Sequence, residues 1–574
     1  MRKLVRDGRG WPVYVLAVLF AVFTMIGRTF QMKGDISLFT GSPQAWLRGA
    51  VVFIALTGLY VFLLCLLYGR LMVVTETSRG FKVEASGSRT AGKDGKHHRA
   101  VDAVLRFFRR TQSLSDRRYC LFAFAFLMLC WLPYLIIYYP GSTVPDGLWQ
   151  IQEGLGMKTL SGKHSWELSL LFGFLVKLGS HVNDNAGFFL VVLFLAVSQA
   201  LCYAWVCRKI RQWKAPDWLT FGTPLFFGLY PLFGAYAQTL IKDGISCALF
   251  TLFMTAYLDL CLPDVRMSRG DPDDSLKVKT GEKRRGKAFA VLLCALAAAL
   301  TRRNEMYILL PMTLFLFILL RKGSRRYALL IFAGILAGYL GFAGLGRAIG
   351  VKDGSSRAYY SVMFQQTARY LTEYPDEVTK EEKQAINGVL KLKKITGKYN
   401  PDLSDPVKNR FREKSTAEDL QAYFGVWKGM LKKHPLVYVE AFLHGNYGYY
   451  DPFSLITVTS PYYLDASEAY SKTLGYDWHH IFPALIRKAA RGYAWLWKKL
   501  PVLRLTIRPG AWTWFYFILA GWLCLKKRWK KLLPLIGMGL LWGICLLSPV
   551  NGCIRYYLPM YACGPVLLWW SFWE

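Results

Sequence analysis

The sequence predicts an all-α polytopic membrane protein: a bundle of about twelve transmembrane helices with one large, mostly helical exterior region. Three observations carry that expectation. Of the 574 residues, 53% are hydrophobic and 16% aromatic. Apolar runs long enough to cross roughly 30 Å of hydrocarbon recur from one end of the chain to the other. The short loops between alternate runs are basic, the pattern of segments retained on the cytoplasmic side.

The first span is expected over Trp11–Arg28. Arg2, Lys3, Arg6 and Arg9 precede it and no small-residue cleavage site follows, so it reads as an uncleaved helix rather than a signal peptide. With a second span over Trp46–Tyr68, residues 1–70 form two additional N-terminal helices. Residues 71–118 follow as a basic cytoplasmic linker, in which Thr75–Lys96, rich in Gly, Ser, Lys and Arg, reads as flexible. A transmembrane core is expected over 119–349. Its spans are Tyr119–Tyr138, Gly187–Cys207, Leu219–Tyr236, Ile245–Leu262, Phe289–Thr301, Met306–Leu320 and Tyr327–Ile349. Its first exterior loop covers 139–166. Residues 350–510 form the exterior region, with helix starts at Thr379 before Glu381 and Glu382, at Ser415-Thr416 before Glu418 and Asp419, and after Pro435. Residues 511–574 hold the last spans, Ala511–Leu525, Leu532–Ser548 and Tyr556–Trp573.

A cytoplasmic N-terminus puts the loops Arg70–Arg118, Arg208–Lys214, Asp264–Lys287, Arg321–Arg326 and Lys526–Lys531 inside, and every one is basic. Ser165–Leu178 is apolar but only about fourteen residues long. Counted as a crossing, it would put the Arg208–Lys214 loop outside, so it is expected as a short helix at the outer surface. The net charge of +35 has no nucleic-acid motif beside it, and topology with anionic lipid headgroups explains it. The 12 cysteines fall mostly inside apolar segments and include no CxxC pair, which argues against a disulfide framework or a cysteine metal site.

In this topology the polar groups collect on the outer side. Asp146 stands in PGSTVPD, directly after a span, in a loop shaped by Pro140, Gly141 and Pro145. A carboxylate there can act as a base on a substrate carried in the plane of the membrane. His164 lies further along the same loop. Lys242 and Asp243 stand in IKDG, Arg302, Arg303, Asn304 and Glu305 in TRRNEM, Gln365 and Gln366 in FQQTARYL, and Arg555 with Tyr556 in NGCIRYYLP. A charge between apolar helices is costly unless paired or functional. Each also has a plain reading as a turn cap, an interfacial anchor or a flanking charge. The aromatic stretch His444–Pro452 could stack a sugar ring but reads first as a packed loop, and His479-His480 has no accompanying metal-ligand pattern.

YPGSTVPDGLWQ, KHSWELSLLFGFLVKLG, IKDG, LTRRNEMY, FQQTARYL, WKGMLKKHPLVYVEAFL and LLSPVNGCIRYYLP occur in this order over residues 119–574. The order resembles a family of uncharacterised polytopic proteins of Gram-positive bacteria. That family in turn is similar to the GT-C superfamily of polyprenyl-phosphate-dependent glycosyltransferases. The resemblance implies a GT-C-like bundle in the plasma membrane, with its catalytic face extracellular and Asp146 as the catalytic base or a metal ligand. It implies a polyprenyl-phosphate-linked sugar donor and a cell-envelope polymer, lipid or protein as acceptor. The family's proline after the loop histidine is missing, since Ser165 and Trp166 follow His164. On this reading Arg302, Arg303, Lys242 and Arg555 bind the donor phosphate. His164, Asp243, Asn304, Glu305, Gln365, Gln366 and Tyr556 contact substrate. A divalent cation is optional, because phosphate is already a good leaving group. A transporter or flippase for lipid-linked saccharides is the alternative, and a non-catalytic scaffold a third. A flippase needs charges at mid-membrane depth on several helices, whereas here they gather at one face.

Overall fold

The computed structural model describes residues 10–84, 111, 113–262, 274–395, 397–455, 460, 462–464 and 474–572, with the backbone alone for 75–84 and 274–282. Among them the architecture is all-α apart from one pair of two-residue strands. Seven helices are long and apolar enough to cross a bilayer: Trp11–Lys33, Pro43–Val74, Asp116–Ile137, Asp184–Gln212, Lys242–Cys261, Lys322–Ala348 and Trp529–Leu546. The chain is a membrane protein.

The other expected spans are helical but shorter or broken. Pro231 pushes Tyr230 out of the helical region, to ψ 118, and splits Leu219–Tyr236 into helices Asp217–Leu229 and Pro231–Ala237. The last expected span is divided into Ile554–Ala562 and Gly564–Phe572, with Pro565 just beyond the break. Met306–Leu319 has 14 residues and Pro509–Leu525 has 17. At about 1.5 Å per residue the first spans about 21 Å, less than the hydrocarbon thickness. Phe289–Thr301 forms the C-terminal part of a longer helix, Asp274–Thr301. Trp166–Ser180 has 15 residues and matches the short helix expected over Ser165–Leu178.

One expectation needs correction. Thr75–Glu84 is not a flexible linker but the continuation of the helix Pro43–Glu84. Once a helix is nucleated each further residue adds a hydrogen bond, and Gly80, at about 1 kcal/mol, is not enough to stop it. The rest of that segment, 85–96, lies outside the described residues, as do Arg2, Lys3, Arg6, Arg9, residues 264–273 and Trp573.

Lys242–Cys261 is the central helix. It packs against Asp184–Gln212, Asp274–Thr301 and Ile554–Ala562, and almost every side chain along it is buried. Neighbouring helices lock by aromatic stacking: the rings of Tyr203 and Phe227 stack at 4.2 Å, and Trp131 Nε1–H donates to the Phe227 carbonyl at 3.1 Å. The exterior region has its own core around Phe364, Tyr370, Ile386, Val389, Tyr423 and Met430. Two of its helices start with reciprocal caps, Thr379 with Glu382 and Thr416 with Asp419, and a third starts at Pro435.

The two N-terminal helices pack on the far end of the chain. Phe20 stacks on Trp514 at 3.9 Å, and Tyr68 Oη donates to the Ile518 carbonyl at 2.9 Å. The turn after Lys33 meets the exterior region through a buried network. Arg369 pairs with Glu440 at 2.7 Å, and Glu440 accepts from the Ile36 N–H at 2.9 Å. His444–Pro452 is a packed loop, as its aromatic density predicts: Tyr447, Tyr449 and Tyr450 are all buried.

Candidate functional site

The strand pair brings two distant loops into register. β1 (Ser142–Thr143) and β2 (Thr239–Leu240) run parallel, with Ser142 opposite Thr239 and Thr143 opposite Leu240. Each leads straight into a helix. Extended Val144 caps Pro145–Gly154, and extended Ile241 caps Lys242–Cys261. Neither cap residue offers a side-chain acceptor to the first-turn N–H groups. Two helix N-termini, each a positive dipole end with unsatisfied donors, therefore lie side by side.

The pairing depends on glycine twice. A Cβ on Gly147 would stand 1.6 Å from the Leu240 carbonyl oxygen, so only glycine lets the Asp146 helix approach this closely. Gly141 has φ +133, where other residues are strained, and a Cβ there would meet Val192 at 2.4 Å. Gln238 fastens the arrangement. Its side-chain oxygen accepts from the Ser142 N–H at 2.9 Å, and its amide donates to the Tyr463 carbonyl at 2.9 Å.

Asp146 meets Arg555 across this junction. Arg555 Nη1 donates to Asp146 Oδ2 at 2.8 Å, and Lys163 Nζ lies 3.8 Å from Oδ1. Burial pushes the carboxyl up, but the Arg555 guanidinium and the Lys163 ammonium outweigh it and hold Asp146 down at about 2. The carboxylate is ionised at every physiological pH. Arg555 also donates to Tyr556 Oη at 3.2 Å, and the guanidinium of Arg302 lies 5.5 Å from the centre of the Tyr556 ring. Arg555 is held by its own loop. Asn551, three residues after Ser548, donates to Asp402 Oδ1 at 2.8 Å and to the His444 carbonyl at 2.7 Å.

Lys242 and Asp243 complete the cluster. Lys242 interacts electrostatically with Asp243, Arg302 and Asp146, and Arg555 with both Asp243 and Asp146. Among the described residues, none of the side chains of Lys242, Asp243 and Arg302 has a hydrogen-bonding partner or an ion pair within 4.0 Å. His164 is 5% exposed, and its buried Nε2 also lacks a partner. Burial, reinforced by the neighbouring Lys242, lowers it to about 3, so it is a neutral imidazole able to donate and accept. Among the described residues no three His, Cys, Asp or Glu side chains are grouped to hold a metal ion.

Not every residue singled out from sequence joins this group. Glu305 does: it is buried, accepts from Ser246 Oγ at 2.7 Å, keeps one oxygen unpartnered, and interacts electrostatically with Arg302, Asp243 and Lys242. It ties the turn carrying Arg302 to the helix carrying Lys242. Arg303 turns toward the loop at Gly162, and Asn304 is exposed. Gln365 donates to the Asn400 carbonyl at 2.6 Å and Gln366 to the Tyr438 carbonyl at 3.2 Å, inside the exterior region. The buried Oε1 atoms of both have no hydrogen-bond partner among the described residues.

Sequence reasoning overlooked Lys163, Glu153, Gln238 and Tyr463. Lys163 stands beside His164 and carried a signal in its position. Glu153, one helix turn beyond Trp149, accepts from Trp149 Nε1 at 3.0 Å, Ser161 Oγ at 2.6 Å and Ser169 Oγ at 3.1 Å. It thereby fixes the loop that presents Lys163 and His164.

Residues 156–574 match DUF6020, a family of unknown function. The chain belongs to that family. The DUF6020 segment contains His164, Lys242, Asp243, Arg302 and Arg555, and begins after Asp146. No curated protein and no solved structure matches the chain. The cluster sets the carboxylates of Asp146, Asp243 and Glu305 among the cations Arg555, Lys163, Lys242 and Arg302, beside two open helix N-termini. That set can hold a phosphate-sized anion beside a base.

Proposed function

We propose that this protein is a GT-C-like, inverting membrane glycosyltransferase that moves a sugar from a polyprenyl-phosphate donor to an acceptor hydroxyl at the outer face of the plasma membrane. One observation carries the reading: β1–β2 pairing brings the loop of Asp146 to that of Lys242, where Arg555 pairs with Asp146 and Arg302 neighbours Lys242. The topology that goes with it has about twelve crossings, a cytoplasmic N-terminus and the cluster on the extracellular side.

In the reaction, Asp146 takes the proton of the acceptor hydroxyl while that oxygen bonds to the anomeric carbon. The bond from the anomeric carbon to the phosphate oxygen breaks, its electron pair leaves with the polyprenyl phosphate, and configuration inverts. Lys242, Arg302 and Arg555 receive the negative charge that develops on the leaving group. Arg555 has a second role. While it grips Asp146 the carboxylate is a weak base. A donor phosphate competing for the same guanidinium loosens that grip and raises the basicity of Asp146 only when donor is present. His164, neutral and unpartnered, can orient a sugar hydroxyl.

The test is transfer or release of radiolabelled sugar from a panel of polyprenyl-phosphate sugars, comparing wild type with Asp146→Asn. Turnover lost in a variant that remains folded at the assay temperature supports the reading. Equal turnover in both proteins removes Asp146 as the base.

A further inference from the structure

Beside the loop that carries Asp146 lies a crevice of about 490 Å³, lined among others by Tyr139, Asn183, Asp184, Asp477 and His479. Its walls are the first turn of the helix Asp184–Gln212 and the strap at 477–481. The strap is firmly fastened. Asn185 Nδ2 donates to the His479 carbonyl and its Oδ1 accepts from the His479 N–H, both at 3.0 Å. The Asp477 N–H donates to Asp184 Oδ2 at 2.7 Å, and His480 Nδ1 lies 3.1 Å from the Tyr139 carbonyl oxygen. The side chains of Asp184 and Asn185 fasten the backbone of the strap, and the exposed side chains of Asp477 and His479 lie 3.8 Å apart, Oδ1 to Nδ1. The Asp477 carboxylate is 92% exposed and the His479 ring 59%. The Asn183 side-chain oxygen caps the helix by accepting from the Ala186 N–H at 2.8 Å, while its amide donors have no partner among the described residues.

We propose that this crevice is a saccharide-binding site that takes a neutral or amine-bearing sugar unit, the acceptor of the transfer reaction. The chemistry of the lining selects the class. An aromatic ring at Tyr139 offers a face to the C–H groups of a pyranose. Carboxylate, amide and imidazole groups offer the paired donors and acceptors that vicinal hydroxyls need. Charge narrows it further. In a chain of net charge +35, this crevice is lined among the described residues by two carboxylates and by no lysine or arginine. Phosphorylated or carboxylated ligands are repelled, and neutral or cationic sugars are not. The volume lies in the usual range for small-ligand sites, about 300–1,000 Å³. Position supplies the function: Tyr139 is a wall of the crevice and also the residue that enters the Pro140–Asp146 loop. As an acceptor site the crevice rests on the glycosyltransferase reading; as a saccharide site it does not.

The experiment is calorimetric titration of the full-length protein in lipid nanodiscs with N,N′-diacetylchitobiose, maltose and the diamine of chitobiose, with a sulfated disaccharide as the anionic comparison. At least one neutral or amino sugar should bind about tenfold more tightly than the sulfated one. Asp477→Ala and His479→Ala, both at exposed side chains, should each weaken that binding about tenfold, the loss of one charge-assisted hydrogen bond. Asp146→Asn should bind sugar as wild type does. Absence of binding by all three sugars, tighter binding of the sulfated one, or equal affinity in wild type and Asp477→Ala would overturn the proposal. Sugar binding that depends on Asp477, in a protein without transferase activity toward any donor, would uphold the saccharide site and sink only the glycosyltransferase reading.

Discussion

The two ends of the helix Lys242–Cys261 carry charges of the wrong sign for its dipole and treat them in opposite ways. Near the C-terminus, Asp259 faces the negative end, and its environment answers it completely. Lys209 Nζ lies 3.0 Å from Oδ2, Trp213 Nε1 donates to Oδ1 at 2.9 Å, and Lys287 Nζ is 3.8 Å from Oδ2. At the N-terminus, Lys242 faces the positive end, yet it has no hydrogen-bonding partner among the described residues. A satisfied buried charge is a structural element. Lys242 stands beside open N–H donors and Arg302, with Asp243 and Asp146 as electrostatic neighbours but with no direct ion pair, and this contrast separates scaffold from site.

The largest expected effect is at the satisfied end. Asp259→Ala leaves Lys209 buried beside a lost partner and should cost about 3–5 kcal/mol, read as a drop in Tm of the detergent-solubilised protein. At the open end the loss should appear mainly in activity. Arg555→Gln should lower kcat/KM for sugar transfer by about 10²–10³-fold, as removal of a charge-stabilising donor does, and should lower Tm less than Asp259→Ala does, since Asp146 loses its ion-pair partner. A loss of stability as large as that of Asp259→Ala would mean that Arg555 is scaffold too.

A pH titration sharpens the same comparison. The folded Asp146 is held at about 2, below its ordinary value of 3.8, so its contribution to stability is present above about pH 4 and is lost as pH falls toward 2. Thermal unfolding of Asp146→Asn should be flatter than wild type in that window and parallel to it above. The smallest effect concerns Lys242→Gln. Removing a cation from a helix N-terminus should leave stability unchanged or raise it by about 0.3–1 kcal/mol, while transfer activity falls. A clear loss of Tm would show that Lys242 has a structural partner.

The apolar helices were legible because hydrophobic runs and basic loops are local features. Their breaks were legible only in part. Pro231 is visible in the sequence, yet the long apolar run around it argued for one uninterrupted span. Asp146, Lys242, Arg302 and Arg555 could be collected from sequence because each lies at a polar turn between apolar segments. Their partners could not. Tyr463 and Gln238 reach the site through a strand pair of two residues, too short to leave any periodic pattern. Gln365 and Gln366 bond backbone carbonyls in the exterior region, and a glutamine that does so has the same sequence context as one that bonds a ligand.

The core formed by the N-terminal helices has a consequence for how the protein is made. Val13, Phe20, Tyr60 and Tyr68 pack with Tyr447, Tyr450 and Trp522, several hundred residues downstream. At ribosomal speeds of about 5–20 residues per second, the first two helices wait roughly 20–80 s before the surface they cover exists. During that interval their apolar faces have only lipid or an insertion factor for company. These two helices are thus made well before the neighbours that cover them.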